Sequence, residues 1–94
     1  MQIRWLRKAL RNLDEEATYI AADDVTAARM VVRRIFEAVG QLTVHPDAGR
    51  PGRVPGTREL IVRNTRYILL YRVRGGAIEI LRVFHASRRP PKRW

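Results

Sequence analysis

Residues His45–Gly56 carry three prolines and three glycines in twelve positions. Proline removes a backbone donor and fixes φ, and glycine frees it, so no regular helix or central strand crosses this stretch. The segment therefore cuts the chain in two, and the hydrophobic period differs on its two sides.

Before the cut the period is helical. Gln2–Trp5 reads as a short first strand. From Leu6, the residues Leu6, Leu10, Leu13, Ala17 and Ile20 recur at steps of three and four, with Ala9 and Ala21 beside them. Asp14, Glu15 and Glu16 then fall mostly on the wet face. Asp23-Asp24 interrupts, and Asp24 is placed to cap a second helix by accepting N–H bonds from its first turn. That helix carries Val25, Ala28, Val32, Ile35, Phe36, Val39 and Leu42 on one face, with Arg29 and Arg33 on the exposed side. Two amphipathic helices joined by a short turn predict an antiparallel helical hairpin.

After the cut the period is that of strands. Arg58–Val62, Tyr67–Val73 and Ala77–Phe84 are three strand-like runs, joined by Asn64-Thr65-Arg66 and by Arg74-Gly75-Gly76. The Gly-Gly pair supplies the positive φ of a tight hairpin turn. Pro90-Pro91 argues against a long C-terminal helix. The predicted order is β-α-α-β-β-β, an α+β fold with an N-terminal helical hairpin on one face of a small antiparallel sheet. The other sheet face is expected to be open, or covered only by loop and tail. At 94 residues the chain fits one domain, 1–94, with one core.

Composition excludes several classes. There is no cysteine, hence no disulfide framework, thiolate zinc site or cysteine nucleophile. His45 and His85 are the only histidines and stand far apart, so no metal is expected, and no cofactor. Gly49–Gly56 lacks the terminal GK[ST] of a phosphate loop and runs into a strand instead of a helix. No apolar run reaches the ~18–20 residues of a membrane span, and Met1–Trp5 has no signal-peptide pattern, so a cytoplasmic protein is expected. The net charge is +10, and it is unevenly placed. Residues 1–44 hold seven basic and six acidic residues, whereas 45–94 hold twelve basic residues against Asp47, Glu59 and Glu79. Seventeen of the nineteen cations are arginine, whose fork grips phosphate or carboxylate at two points. A field so concentrated predicts an anionic or acidic partner.

The parts of a metal-free ribonuclease are present. Such a site needs a base for the 2′-hydroxyl, a cation for the phosphate and an acid for the leaving oxygen. His85 and Glu59 are the candidates for proton transfer, and Arg58, Arg66, Arg82 and Arg88 for the cation. Each has a plainer role: a strand-end histidine bonded to a backbone carbonyl, a glutamate paired with a neighbouring arginine, solvated surface charge. Tyr67 and Tyr71 share a strand face and read as core residues before they read as base-stacking platforms.

Gly49-Arg-Pro-Gly-Arg-Val-Pro-Gly-Thr-Arg-Glu-Leu60, Tyr67-Ile-Leu-Leu-Tyr-Arg-Val73 and Ile78-Glu-Ile-Leu-Arg-Val-Phe-His-Ala-Ser-Arg-Arg89 resemble the RelE/ParE superfamily of type II toxins. Trp5, Leu13, Tyr19-Ile-Ala21, Asp24, Ala27-Ala28, Leu42 and Pro46 fit as well, so the likeness covers nearly the whole chain. It implies a compact toxin paired with a DNA-binding antitoxin, whose flexible acidic segment wraps the toxin and with which it represses a shared promoter. The superfamily divides by target: RelE-like members cut mRNA in the ribosomal A site, and ParE-like members poison DNA gyrase. The RelE type's strand arginine falls on Ile68 here, and its two lysines fall on Glu59 and Ile61. Only its C-terminal arginine has a counterpart, Arg88. The catalytic histidine of another ribonuclease branch falls near Ala86, one place from His85. An aliphatic residue at Ile68, Tyr71-Arg-Val73 and Phe84-His85 resemble the ParE-like branch. That branch implies a gyrase-binding toxin with no assigned catalytic residue, and Arg50, Arg53, Arg58, Arg82, His85, Arg88 and Arg89 as target and antitoxin contacts. Two rivals stand beside it: a ribosome-dependent mRNA endonuclease using His85, Glu59, Arg66 and Arg88, and a degenerate member that only binds antitoxin.

Overall fold

The computed structural model describes residues 1–87. Its elements are β1 (Gln2–Trp5), α1 (Arg7–Ala21), α2 (Val25–Val44), β2 (Arg50–Pro51), β3 (Arg58–Ile61), β4 (Tyr67–Arg74) and β5 (Ala77–His85). The α+β architecture is the one the two hydrophobic periods predict. Asp24 is the N-cap of α2, its carboxylate accepting from Ala27 N–H at 3.0 Å. Gly75 and Gly76 both take positive φ, at 58° and 71°, in the β4–β5 turn.

The five strands lie in the order β1-β5-β4-β3-β2. The β2–β3, β3–β4 and β4–β5 pairs are antiparallel, but β1 runs parallel to β5, with Ile3 opposite Ile78 and Trp5 opposite Ile80. The sheet is therefore mixed, where a wholly antiparallel one was expected. The helices carry the chain back before it enters the sheet again, which leaves β1 free to lie alongside the last strand. The proline-rich segment also holds one piece of strand, β2. Two residues at the sheet edge tolerate Pro51 because an edge strand keeps one row of donors out of the ladder.

The helices pack on one face. Ala9 and Leu13 of α1 and Ile35, Val39 and Leu42 of α2 form one core with Tyr67, Leu69 and Tyr71 of β4 and Ile78, Ile80 and Val83 of β5. The predicted apolar stripes are broader than the buried ones. Leu10, Val25 and Phe36 are about half exposed, and Phe36 packs on the Trp5 ring with centroids 5.4 Å apart.

The opposite sheet face is not open. Ile68 and Leu70 alternate with the core tyrosines, yet both are buried. The 52–57 loop folds back over this side. Gly52 N–H reaches the Thr57 carbonyl at 2.8 Å, and Thr57 Oγ1 donates to Val54 at 2.6 Å. Leu81 is left unpaired by a bulge, because Leu70 faces Arg82 while Tyr71 faces Ile80. It shares a hollow with Val54, Thr57 and Arg72 on the loop side.

Candidate functional site

Of the residues singled out as a ribonuclease set, Glu59 and His85 do not converge. Glu59 lies opposite Leu70 and His85 opposite Tyr67. These positions are three residues apart on β4, about 10 Å along the strand, and of opposite parity, so the two side chains leave opposite faces. Glu59 is buried, and both its oxygens face the loop: Oε2 accepts from Arg53 N–H at 3.2 Å and Oε1 lies 3.4 Å from Arg50 Nη2. That is the plain ion-pair role, with a backbone bond added. It makes Glu59 the peg on which the 50–53 segment hangs.

His85 closes β5. Its ring stands edge-on to Tyr67, centroids 5.2 Å apart. Nδ1 accepts from Ser87 N–H at 3.2 Å and lies 2.7 Å from Ser87 Oγ. An acceptor at Nδ1 puts the proton of the neutral ring on Nε2. The ring thus bonds a backbone amide, where a backbone carbonyl was the expected partner. Tyr67 reaches α1, donating its hydroxyl to Glu16 Oε1 at 2.9 Å. Arg66 is brought to the same end of the sheet, since its carbonyl accepts from Ala86 N–H at 2.6 Å. Ile68, at the position of the RelE-type arginine, is buried and can offer no cation.

The arginines divide into structural and exposed groups. Arg58 Nη1 donates to the Gly49 carbonyl at 2.7 Å and to the Asp47 carbonyl at 3.3 Å. It thereby satisfies acceptors that an irregular loop leaves unpaired. Arg82 Nε donates to Asn12 Oδ1 at 2.8 Å. Arg50, Arg53 and Arg66 are exposed. Arg50 and Arg53 flank the β2 edge, while Arg82 lies on β5, with β4 and β3 between. The expected contact set is therefore split across the sheet. Arg88 and Arg89 lie outside the described residues.

Three features went unread in the sequence. Tyr71, in the core, donates its hydroxyl to the Pro46 carbonyl and accepts from Gly49 N–H, both at 2.9 Å. Burial pushes this phenol above the ordinary 10.0. A Cβ on Gly49 would stand 2.8 Å from the Tyr71 ring and 3.0 Å from the Glu59 carbonyl, so only glycine fits. Asn12 is the second feature: its Oδ1 takes both Arg82 Nε and, at 3.2 Å, Val83 N–H, a β5 donor beyond the end of β1. The third is the Arg72–Glu79 pair at 2.6 Å, which holds the Glu79 carboxyl below the ordinary range. The Gly49–Pro46 environment of a loop proline and glycine hints at the first. Contacts seventy residues apart gave Asn12 no local signal.

Among the described residues no three His, Asp or Glu side chains gather into a metal set, and no helix is long and apolar enough to cross a membrane. Among the described residues the arrangement offers cationic surface and a hydrogen-bonded loop, with Arg66 near His85 and Glu59 held apart from both.

Comparisons with known proteins identify the family. The family model described as "ParE toxin of type II toxin-antitoxin system, parDE" matches residues 3–90. Y4kP of Sinorhizobium fredii, a candidate toxin by its name, is 47% identical over 91 residues, covering 97% of this chain and 94% of its own. Toxin RelE2 of Caulobacter vibrioides is 32% identical over 87 residues, covering 93% and 97%. A solved structure titled "Chromosomal ParDE TA system from P. aeruginosa" superposes with a TM-score of 0.81 at 33% identity, over 93% of this chain and 97% of that one. The chain belongs to the ParE toxin family of type II toxin–antitoxin systems, within the RelE/ParE superfamily.

Proposed function

We propose that the chain is a cytoplasmic toxin that arrests growth by binding DNA gyrase, and that a cognate antitoxin neutralises it. The observation that carries this reading is the separation of His85 from Glu59, with Glu59 committed to Arg50 and Arg53 and a buried Ile68 at the position of the RelE-type arginine. General acid–base cleavage needs its groups within hydrogen-bond reach of one phosphodiester, and loss of one preorganised donor alone costs on the order of 10²–10³ in rate. Binding has no such requirement. Exposed Arg50 and Arg53 beside the loop, and His85 at the sheet end, are the proposed contacts, with Arg58 and Arg82 holding the surfaces that carry them; Arg88 and Arg89 complete the proposed set.

The antitoxin follows from family membership. An acidic, partly disordered segment that folds on binding suits a chain whose excess charge lies in residues 45–94.

The test is induction in cells lacking the antitoxin, with mapping of mRNA 5′ ends. Growth should stop while the mRNA ends stay as in uninduced cells, and His85→Ala should weaken the arrest only in part. Cuts phased to codons, abolished by His85→Ala, would establish the endonuclease instead.

A further inference from the structure

α2 carries a second stripe, on the face turned away from the core. Thr26, Met30, Arg33, Glu37, Gly40 and Val44 follow one another at alternate steps of four and three, the spacing of a seam between two helices. All six are exposed, whereas Ala28, Ile35, Val39 and Leu42 hold the buried side. Met30 and Val44 are large apolar side chains within it. Gly40 leaves a gap in it: a Cβ there would meet nothing within 4 Å among the described residues. Glycine weakens a helix relative to alanine, and close approach of a second backbone is a use that only its bare surface serves.

The stripe is its own complement when reversed. A second α2 lying antiparallel, about a two-fold axis level with Ile35, brings Glu37 opposite Arg33, Gly40 opposite Met30 and Val44 opposite Thr26. The two-fold makes each of these contacts twice. Opposite charges meet, and the long Met30 side chain enters the gap that Gly40 leaves. A parallel pair would instead set Arg33 against Arg33 and Glu37 against Glu37. Phe36, half exposed, flanks the axis on one side, where it meets its own copy. Arg34 flanks the other side, and its Nη1 is drawn away to donate to the Asn64 carbonyl at 2.7 Å.

We propose that this face is a homodimer interface, with α2 packed antiparallel on α2 of a second copy of the chain. Complementarity of charge and of bulk within one repeated stripe selects that occupant, since an unrelated partner requires no such symmetry. One helix a side is small beside the ~1,600 Å² of a standard interface, so the dissociation constant is expected on the order of tens of micromolar. The interface stands apart from the gyrase reading and does not depend on it.

The test is sedimentation velocity of the purified full chain without antitoxin, up to about 200 μM. Physiological salt is needed, because two chains of net charge +10 repel each other until screening shortens to ~8 Å. Wild type should pass from monomer to dimer over this range. Arg33→Glu alone and Glu37→Arg alone should each stay monomeric, since each sets like charges face to face. An equimolar mixture of the two should dimerise, because opposite charges then face each other again. The chain has no cysteine, so disulfide trapping can read the register. Met30→Cys mixed with Gly40→Cys should cross-link at least about fivefold more than either alone, since like positions stand about 15 Å apart along the axis. The proposal fails if wild type stays monomeric, if either single charge variant dimerises like wild type, or if their mixture does not dimerise. It also fails if Met30→Cys alone cross-links best, which would mean a parallel pair. A monomeric wild type whose Glu37→Arg variant loses the cognate antitoxin would overturn it and assign the face to the antitoxin.

Discussion

The hydroxyl of Tyr71 joins three parts of the molecule through one oxygen. It donates to Pro46 at the end of the helical half, accepts from Gly49 at the start of β2, and belongs to β4 in the core. Tyr71→Phe removes the partner of both backbone groups and should cost about 1–3 kcal/mol in urea unfolding. Gly49→Ala should cost a similar amount, about 1–3 kcal/mol, through its clash with the Tyr71 ring and the Glu59 carbonyl. The double variant should be less damaging than the two losses summed, because deleting the hydroxyl vacates part of the space the new methyl needs. The raised phenol also has an alkaline signature. Its stabilisation is complete below the unfolded value of 10.0 and is lost as pH rises through the higher folded value. Tyr71→Phe should therefore flatten stability above pH 10.0. Glu79, lowered by Arg72, behaves in the opposite sense: its contribution is present above 4.5 and falls away as pH drops through the folded value. Glu79→Gln should reduce the acid slope of a pH-dependent melt, and an unchanged slope would contradict the pairing.

At the scale of elements, the helical hairpin was legible because its signals are local. Asp24 is a cap by residue type and by position, and the structure places Ala27 N–H on its carboxylate. Asp24→Ala should cost about 1 kcal/mol, with Asp24→Asn recovering most of it, read as shifts in the thermal midpoint. Four of the five strands were legible to within a residue or two for the same reason, since alternation and the Gly75-Gly76 turn are written into neighbouring positions; β2 fell in the stretch read as a loop. The direction of β1 was not legible. A four-residue run carries no mark of whether it lies parallel or antiparallel to a partner seventy-five residues away, as Gln2 does to Ala77. Coverage of the second sheet face was legible only as one of two alternatives, open or covered by loop and tail. It depends on the 52–57 loop folding back, and Arg53 N–H on a buried Glu59 shows why it does. Glu59→Gln keeps an acceptor for Arg53 but drops the charge facing Arg50. It should loosen the loop, seen as faster amide exchange at Arg53 and Gly52, while the core amides of β4 keep their protection.

For the whole molecule, the charge reads differently once it is placed. The +10 total concentrates in residues 45–94, yet part of it is structural: Arg58 holds loop carbonyls, Arg72 pairs with Glu79, and Arg82 is fixed by Asn12. The sequence supplied the inventory of a nuclease, and the sheet register put two of its members, Glu59 and His85, on opposite faces. Association with an acidic antitoxin segment should slow as salt rises, since screening shortens to ~8 Å at physiological ionic strength. A salt-independent on-rate would contradict electrostatic steering. The central claim is that this ParE-family toxin acts by binding gyrase and not by cutting RNA. The most direct measurement is supercoiling of relaxed plasmid by purified gyrase with the toxin added. Inhibition or trapped cleaved DNA, reversed by the cognate antitoxin, is the predicted result. Full supercoiling at saturating toxin, together with codon-phased cleavage of mRNA by the same preparation in a ribosome-coupled reaction, would contradict it.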